Sequence, residues 1–290
     1  KSEGQFYDCR IKGKFRIKGI KSTNPLAVGD KVSFVIEPKK DAEGIITSIE
    51  TRQNYIIRKS VNLSKQTHII AANIDQVFLM ITLKTPQTFP AFIDRFLVTA
   101  QAYEIDVVLL FNKIDIYNKE ELNAMTSLKG VYQKIGYECH EVVATDSKTL
   151  DIIDSKMKGK VSMFCGHSGV GKSTLVNALS PGLKLKTGMV SKQNQQGQHT
   201  TTFAEMFDLG ASRIIDTPGI KGFGLVGIKP KELSGYFIEF ALLKGGCKFN
   251  NCLHTTEPNC AIKEAIEEGE IAHSRYKSYL QLLEEDSLYR

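Results

Sequence analysis

The sequence predicts a chain of three parts: a small β-barrel of the OB type, an α/β doubly wound domain with permuted connectivity, and a small helical, metal-pinned domain. Three observations predict it. Residues 1–65 alternate short β-prone runs with turns. Residues 66–228 alternate apolar strands with helical patterns and carry three loop motifs in an unusual order. Residues 229–290 hold three cysteines and a histidine close together, followed by helical sequence.

The 290 residues can fill two or three domains, and 42% hydrophobic with 24% charged content is ordinary for a soluble globular protein. No apolar run reaches membrane-spanning length; the best, 71–83, is broken by Asn73 and Asp75. The first residues, Lys1-Ser2-Glu3-Gly4, have no apolar stretch of the signal-peptide kind. The expectation is a cytoplasmic chain with no membrane partner. The net charge of +6 is unevenly spread: residues 1–65 hold 14 Lys and Arg against 7 Asp and Glu, a net +7, and the remainder sums to −1. That distribution suits a polyanion such as nucleic acid; the alternative is a solvated lysine-rich surface.

In the first part, strands are expected at 5–10, 14–17, 31–36 and 44–50, separated by turns around Gly13, Gly19, Gly29 and Gly44. Short strands at this spacing favour closure into a barrel, because closure removes exposed edges. Residues 52–66 read as a basic, polar connection. In the second part, 76–83 and 106–111 are continuous apolar runs, as in strands buried on both faces of a parallel sheet. Amphipathic helices are expected at 90–102 and 120–135, a strand at 161–165, a helix from 173 to 179 and a strand at 213–216. In the third part, 261–268 and 272–285 have helical patterns.

The loop motifs carry the chemistry. Gly166-His167-Ser168-Gly169-Val170-Gly171-Lys172-Ser173 follows an apolar strand and opens a helix, the context of a phosphate-binding loop. Its glycines let backbone N–H groups approach phosphate oxygens, and the helix start, with Thr174, adds further donors. Lys172 is expected to reach the β- and γ-phosphates and Ser173 to ligate Mg²⁺. Asp216-Thr217-Pro218-Gly219 follows a strand: Asp216 is a second Mg²⁺ residue, and the Gly219 N–H can meet a γ-phosphate. Asn112-Lys113-Ile114-Asp115 also follows a strand. The Asp115 carboxylate can accept both N–H donors of the guanine edge, which adenine lacks, so GTP and GDP are the expected nucleotides. Asn112 holds the loop, the Lys113 stem packs over the base, and Val143-Ala144 is a candidate for backing the guanine with a backbone N–H. Between the phosphate loop and Asp216 lies Gly197-Gln198-His199-Thr200-Thr201-Thr202. One of these threonines should close on Mg²⁺ and the γ-phosphate, Thr201 by preference. The residue after Gly219 is Ile220, which cannot orient water, so His199 is the candidate for that role; a solvent-exposed loop histidine is the other reading.

The motifs run in the order base reader, phosphate loop, Asp216 loop, whereas an ordinary GTPase opens on its phosphate loop. The domain is therefore read as circularly permuted. Cys247, Cys252, His254 and Cys260 supply three thiols and an imidazole, a closed tetrahedral set suited to one structural Zn²⁺; buried reduced cysteines with a chance histidine are the alternative.

Together these residues resemble the circularly permuted, ribosome small-subunit-dependent GTPases, the RsgA, YjeQ or YloQ family. The resemblance covers nearly the whole chain: the basic barrel, the motif order, the QHTTT segment, DTPG and the Cys/His cluster. It implies a cytoplasmic bacterial GTP hydrolase that binds the 30S subunit late in its maturation; a monomer is the separate expectation for the chain. It further implies an OB-fold touching 16S rRNA, and hydrolysis stimulated by the subunit. A static GTP site beside an RNA-holding module is the competing reading.

Overall fold

The computed structural model describes residues 1–11, 25–36, 43–59, 67–183, 185, 204–217 and 227–288. The strand expected at 14–17 lies outside them. In the first part, β1 (Asp8–Ile11), β2 (Val32–Ile36) and β3 (Glu43–Ile49) form a sheet in the order β1-β3-β2. β1 runs parallel to β3 and β2 antiparallel to it, with a bulge between Ser33 and Phe34. Asp30, just before β2, takes a two-pronged bond from Arg52, Nε to Oδ1 and Nη2 to Oδ2 at 2.6 Å each. This buried fork fixes the chain leaving the sheet.

Residues 52–66 are not merely a connection. β4 (Tyr55–Lys59) pairs antiparallel with β5 (Thr67–Ala72), and the expected boundary at 65 falls between the two strands of this ribbon. The register shifts between Ile56 and Ile57, and both are buried. The bulge breaks the in-out alternation that would have marked a strand in the sequence. The ribbon joins the first two parts: Val28 bridges to Ala71, and Asn73 Nδ2 donates to the Gly29 carbonyl at 2.9 Å.

The second part is a three-layer α/β domain. It comprises β6 (Gln76–Ile81), α1 (Pro90–Ala102), β7 (Asp106–Asn112), α2 (Lys119–Lys134), β8 (Glu138–Val142), α3 (Ser147–Met157), β9 (Val161–Cys165), α4 (Lys172–Leu179), β10 (Glu205–Asp208) and β11 (Arg213–Asp216). The sheet order is β10-β11-β9-β6-β7-β8, parallel except for β10. Every residue of β6 is buried, as its unbroken apolar run predicts. Alternate β6 residues face opposite cores: Val77, Leu79 and Ile81 meet α1 and α2, while Phe78 and Met80 meet α3 and α4. The helices on both faces explain why period-two alternation is missing from these strands.

Helix α1 differs from the amphipathic expectation. Seven of its residues are buried, Asp94 and Thr99 among them. Its outer face is covered by the third part, which comprises α5 (Pro230–Leu233), α6 (Ile238–Leu243), α7 (Ala261–Glu267) and α8 (His273–Leu288). These helices pack Phe237, Phe240, Ile262, Tyr279 and Leu282 into a core that also takes in Val98 of α1. At its centre Arg275 of α8, 1% exposed, pairs with Asp94 of α1 and Glu239 of α6 at 2.7 Å each. Removing one partner from such a buried group strands a charge, at a cost of about 3–5 kcal/mol. Among the described residues, no helix is long and apolar enough to cross a membrane.

Candidate functional site

The parallel strands deliver the motif loops to one end of the sheet, the carboxyl end, where α/β sheets bind ligands. β9 ends at Cys165 and the phosphate loop follows. β7, two strands away, ends at Asn112, the first residue of the base-reading loop. Asn112 is paired in register with Val142, so 143–144 emerge beside that loop. On the other side Asp216 is paired with Phe164, which sets its carboxylate next to the start of the phosphate loop. Spatial order does not depend on which strand the chain visits first. That is how permuted connectivity assembles an ordinary pocket.

The phosphate loop takes the shape its glycines allow. Gly166 has φ 142° and Gly171 has φ 104°. A Cβ on Gly166 would lie 2.7 Å from the Met80 carbonyl oxygen, and one on Gly171 would lie 2.5 Å from Asn112 Nδ2. A side chain at either position would have to displace the Met80 backbone or the Asn112 amide. Lys172 is almost fully buried and donates to the carbonyls of Gly166 and His167, at 2.9 Å each. Burial pulls its ammonium down to about 8, while the nearby Asp216 carboxylate works in the opposite direction. Phosphate oxygens would be stronger partners for this cation than two carbonyls. The His167 ring lies against Phe92, tilted at 33° with centroids 3.9 Å apart, while its carbonyl accepts from Lys172.

The base-reading loop is strapped to the phosphate loop. Asn112 Nδ2 donates to the Val170 carbonyl at 2.8 Å. Lys113, in the left-handed region at φ 67°, reaches the Gly169 carbonyl at 2.7 Å and the Thr85 carbonyl at 2.6 Å. Tyr117 closes the turn, its hydroxyl donating to the Asn112 carbonyl at 2.9 Å and accepting from the Leu83 N–H at 2.8 Å. Asn118 and Glu121 then form a capping box that starts α2. Asp115 stays exposed on this framework, free to meet a base. The Val143 N–H donates to Thr149 Oγ1 at 3.2 Å, and Asp146 caps α3.

Thr85, Tyr117 and Thr149 are contributors the sequence reading missed. Thr85 acts through its carbonyl and leaves no side-chain signal. The capping pattern Asn118-x-x-Glu121 was readable and would have placed the end of the loop. Ser173, Thr174, Ser168, Gly169 and Val170 occupy the expected turn and helix start. His199, Thr201 and Gly219 lie outside the described residues. Ser173 and Asp216 offer hard oxygen ligands on adjoining elements, a donor set suited to Mg²⁺.

The second cluster is compact. The ligand atoms of Cys247, Cys252, His254 and Cys260 all lie within 4.8 Å of one another. Cys247 and Cys260 sulfurs are 3.9 Å apart, and His254 Nδ1 is 3.6 Å from Cys247 Sγ and 3.3 Å from Cys260 Sγ. Zinc–sulfur bonds of about 2.3 Å in a tetrahedron put sulfurs about 3.8 Å apart, so the residues fit such an ion. Glu257 fastens the loop, taking the N–H groups of Leu253 and Thr255 at 2.8 Å each. Desolvation pushes its carboxyl up, but the backbone donors together outweigh it and hold the carboxyl down at about 2.

Fold and loops together define a circularly permuted P-loop GTPase. Residues 49–226 match the RsgA GTPase family model and residues 1–46 the RsgA N-terminal domain. The chain is 62% identical over 291 residues to the small ribosomal subunit biogenesis GTPase RsgA of Christiangramia forsetii, covering 99% of this chain and 92% of that one. The protein of that name from Flavobacterium johnsoniae is also 62% identical, with 99% and 89% covered. Among solved structures, YjeQ from Thermotoga maritima matches with a TM-score of 0.75 at 35% identity, over 96% of this chain and 88% of that one. YloQ, described as a circularly permuted GTPase, matches with a TM-score of 0.72 at 30% identity, over 97% and 86%. The chain belongs to the RsgA GTPase family and is a GTP hydrolase.

Proposed function

We propose that this GTPase serves biogenesis of the small ribosomal subunit, binding the 30S particle late in its maturation and hydrolysing GTP faster when bound there. The support that weighs most is the convergence of the base-reading, phosphate and Asp216 loops at one sheet end, in a chain 62% identical to a relative named for that role. Asp115 selects guanine, while Asn112 and Lys113 lock the base-reading loop to the phosphate loop. Backbone donors of 166–174 and Lys172 hold the phosphates. Ser173, Asp216 and Thr201 hold Mg²⁺, which when bound supplies positive charge against the phosphoryl oxygens. Gly219 senses the γ-phosphate, and in Val143-Ala144, where the Val143 N–H is held by Thr149, Ala144 supplies the N–H that backs the base. The N-terminal part, with its net +7, contacts 16S rRNA. Cys247, Cys252, His254 and Cys260 hold one structural zinc. The protein works as a cytoplasmic monomer, divided as 1–65, 66–228 and 229–290, with the β4–β5 ribbon as the first seam.

The test is GTP turnover with and without purified 30S subunits across a salt series. We expect strong stimulation that weakens as salt rises, because phosphate contacts exchange with counterions. Turnover indifferent to the subunit, at any salt, refutes the proposal and leaves the reading of a static GTP site. His199→Ala should lower stimulated turnover by about 100-fold and spare GTP affinity, the signature of a group that acts on the water. Loss of affinity in that variant would instead make His199 a binding residue.

A further inference from the structure

Helix α1 touches both functional ends of the chain. On its first turn Phe92 lies against the His167 ring, centroids 3.9 Å apart. The carbonyl of that same histidine accepts Lys172 Nζ at 2.9 Å, so the ring and the phosphate-binding lysine share one peptide. Two residues further on, Asp94 Oδ1 accepts from Arg275 Nη1 at 2.7 Å and from the Tyr132 hydroxyl at 2.8 Å. Arg275 belongs to α8, and its Nε and Nη2 bind the two oxygens of Glu239 on α6, at 2.7 and 3.1 Å. Its guanidinium also lies over the Phe237 ring, 4.5 Å from the centroid. One turn beyond Asp94, Val98 is wholly buried in the core of the C-terminal helices.

The two ends of this helix are gripped differently. The Asp94–Arg275–Glu239 group is buried, and displacing any member strands a charge. α1 is therefore tied to the C-terminal helices through Asp94 and Val98, while Ile93, Phe96, Leu97 and Ala100 seat the same helix on the sheet. The Phe92–His167 contact is between two tilted rings, with no charge or hydrogen bond of Phe92 in it, so it yields more readily than the ion-pair grip. A 13-residue helix is stiff over its length, so a shift imposed at Asp94 arrives at Phe92.

We propose that α1 couples the phosphate loop to the C-terminal domain, with Phe92 as a positioning residue acting on the loop through His167 and the Asp94–Arg275 pair as the fixed grip. The link rests on the reading of 166–174 as a nucleotide site. Coupling is reciprocal: a nucleotide in the pocket alters the C-terminal helices, and whatever seats those helices alters the pocket.

The test combines fluorescent-GDP affinity with amide hydrogen exchange of the full chain, with and without saturating GDP. In the wild-type chain GDP should slow exchange across 261–288. In Phe92→Ala, GDP affinity should fall about 5-fold, and at saturation the change across 261–288 should vanish. Phe92→Tyr, which keeps a ring on His167, should restore both; a variant that merely lost packing would not discriminate in this way. A full C-terminal response in Phe92→Ala at saturating GDP overturns the link, as does a wild-type chain whose C-terminal helices ignore bound GDP. Failure of wild-type protein to bind GDP at all overturns the nucleotide-site reading itself, and is seen before any variant is made.

Discussion

Asp115→Asn will weaken GTP binding by about 10⁴-fold and create affinity for xanthosine triphosphate, the scale expected when a site built for a hydrogen-bonding group meets one it cannot pair. Guanine offers two donors on one edge, the ring N–H and the exocyclic amine. A carboxylate accepts both. Asparagine replaces one acceptor oxygen with an NH₂ donor, which then faces a donor. Xanthine carries a carbonyl where guanine has the amine, so the same asparagine pairs with it. The substitution keeps the volume of the side chain and leaves the loop intact. Asp115 is exposed, whereas the loop's own bonds run through Asn112, Lys113 and Tyr117. Titration with fluorescent GTP and xanthosine analogues reads both affinities. Undiminished GTP affinity, or no gain for xanthosine triphosphate, would remove Asp115 from base selection.

What the sequence disclosed follows from where the physics is local. Strands buried on both faces announce themselves as unbroken apolar runs, and β9 and β11 have the expected limits. A phosphate loop must spell its glycines, because Gly166 and Gly171 have no room for a Cβ. The β4–β5 ribbon stayed hidden because its bulge buries two successive isoleucines and spoils the alternation. The depth of α1 was also illegible. An aspartate on a helix reads as the solvent face, and it takes distant partners, Arg275 181 positions away and the Tyr132 hydroxyl, to make its burial tolerable. Likewise Lys113 finds its partners in the carbonyls of Thr85 and Gly169, and a carbonyl has no residue type to read.

Removing zinc should dismantle the C-terminal helices while the α/β domain stays folded. Structural zinc sites contribute about 10–16 kcal/mol of binding free energy, more than the whole stability of most small domains. Residues 247–260 have little else to hold them: His254 and Cys260 are their buried members, and both belong to the cluster. The loop also anchors its surroundings. α7 starts at Ala261, directly after Cys260, and α8 leans on the loop through two phenols. Tyr276 donates to the His254 carbonyl at 2.7 Å and Tyr279 to the Leu253 carbonyl at 2.8 Å. A collapsed loop leaves these donors without acceptors, each costing about 1–3 kcal/mol where the group is buried. Cys260→Ser, or a strong chelator on the native chain, should therefore abolish bound zinc and speed exchange across 261–288. Strands β6, β7 and β9, packed in their own cores, should keep their protection. The exposed Cys9 provides the control, since Cys9→Ser should retain full zinc content. If a chelator strips no metal, and exchange across the C-terminal helices is the same before and after, the four residues are a buried cluster of reduced thiols around a histidine rather than a staple.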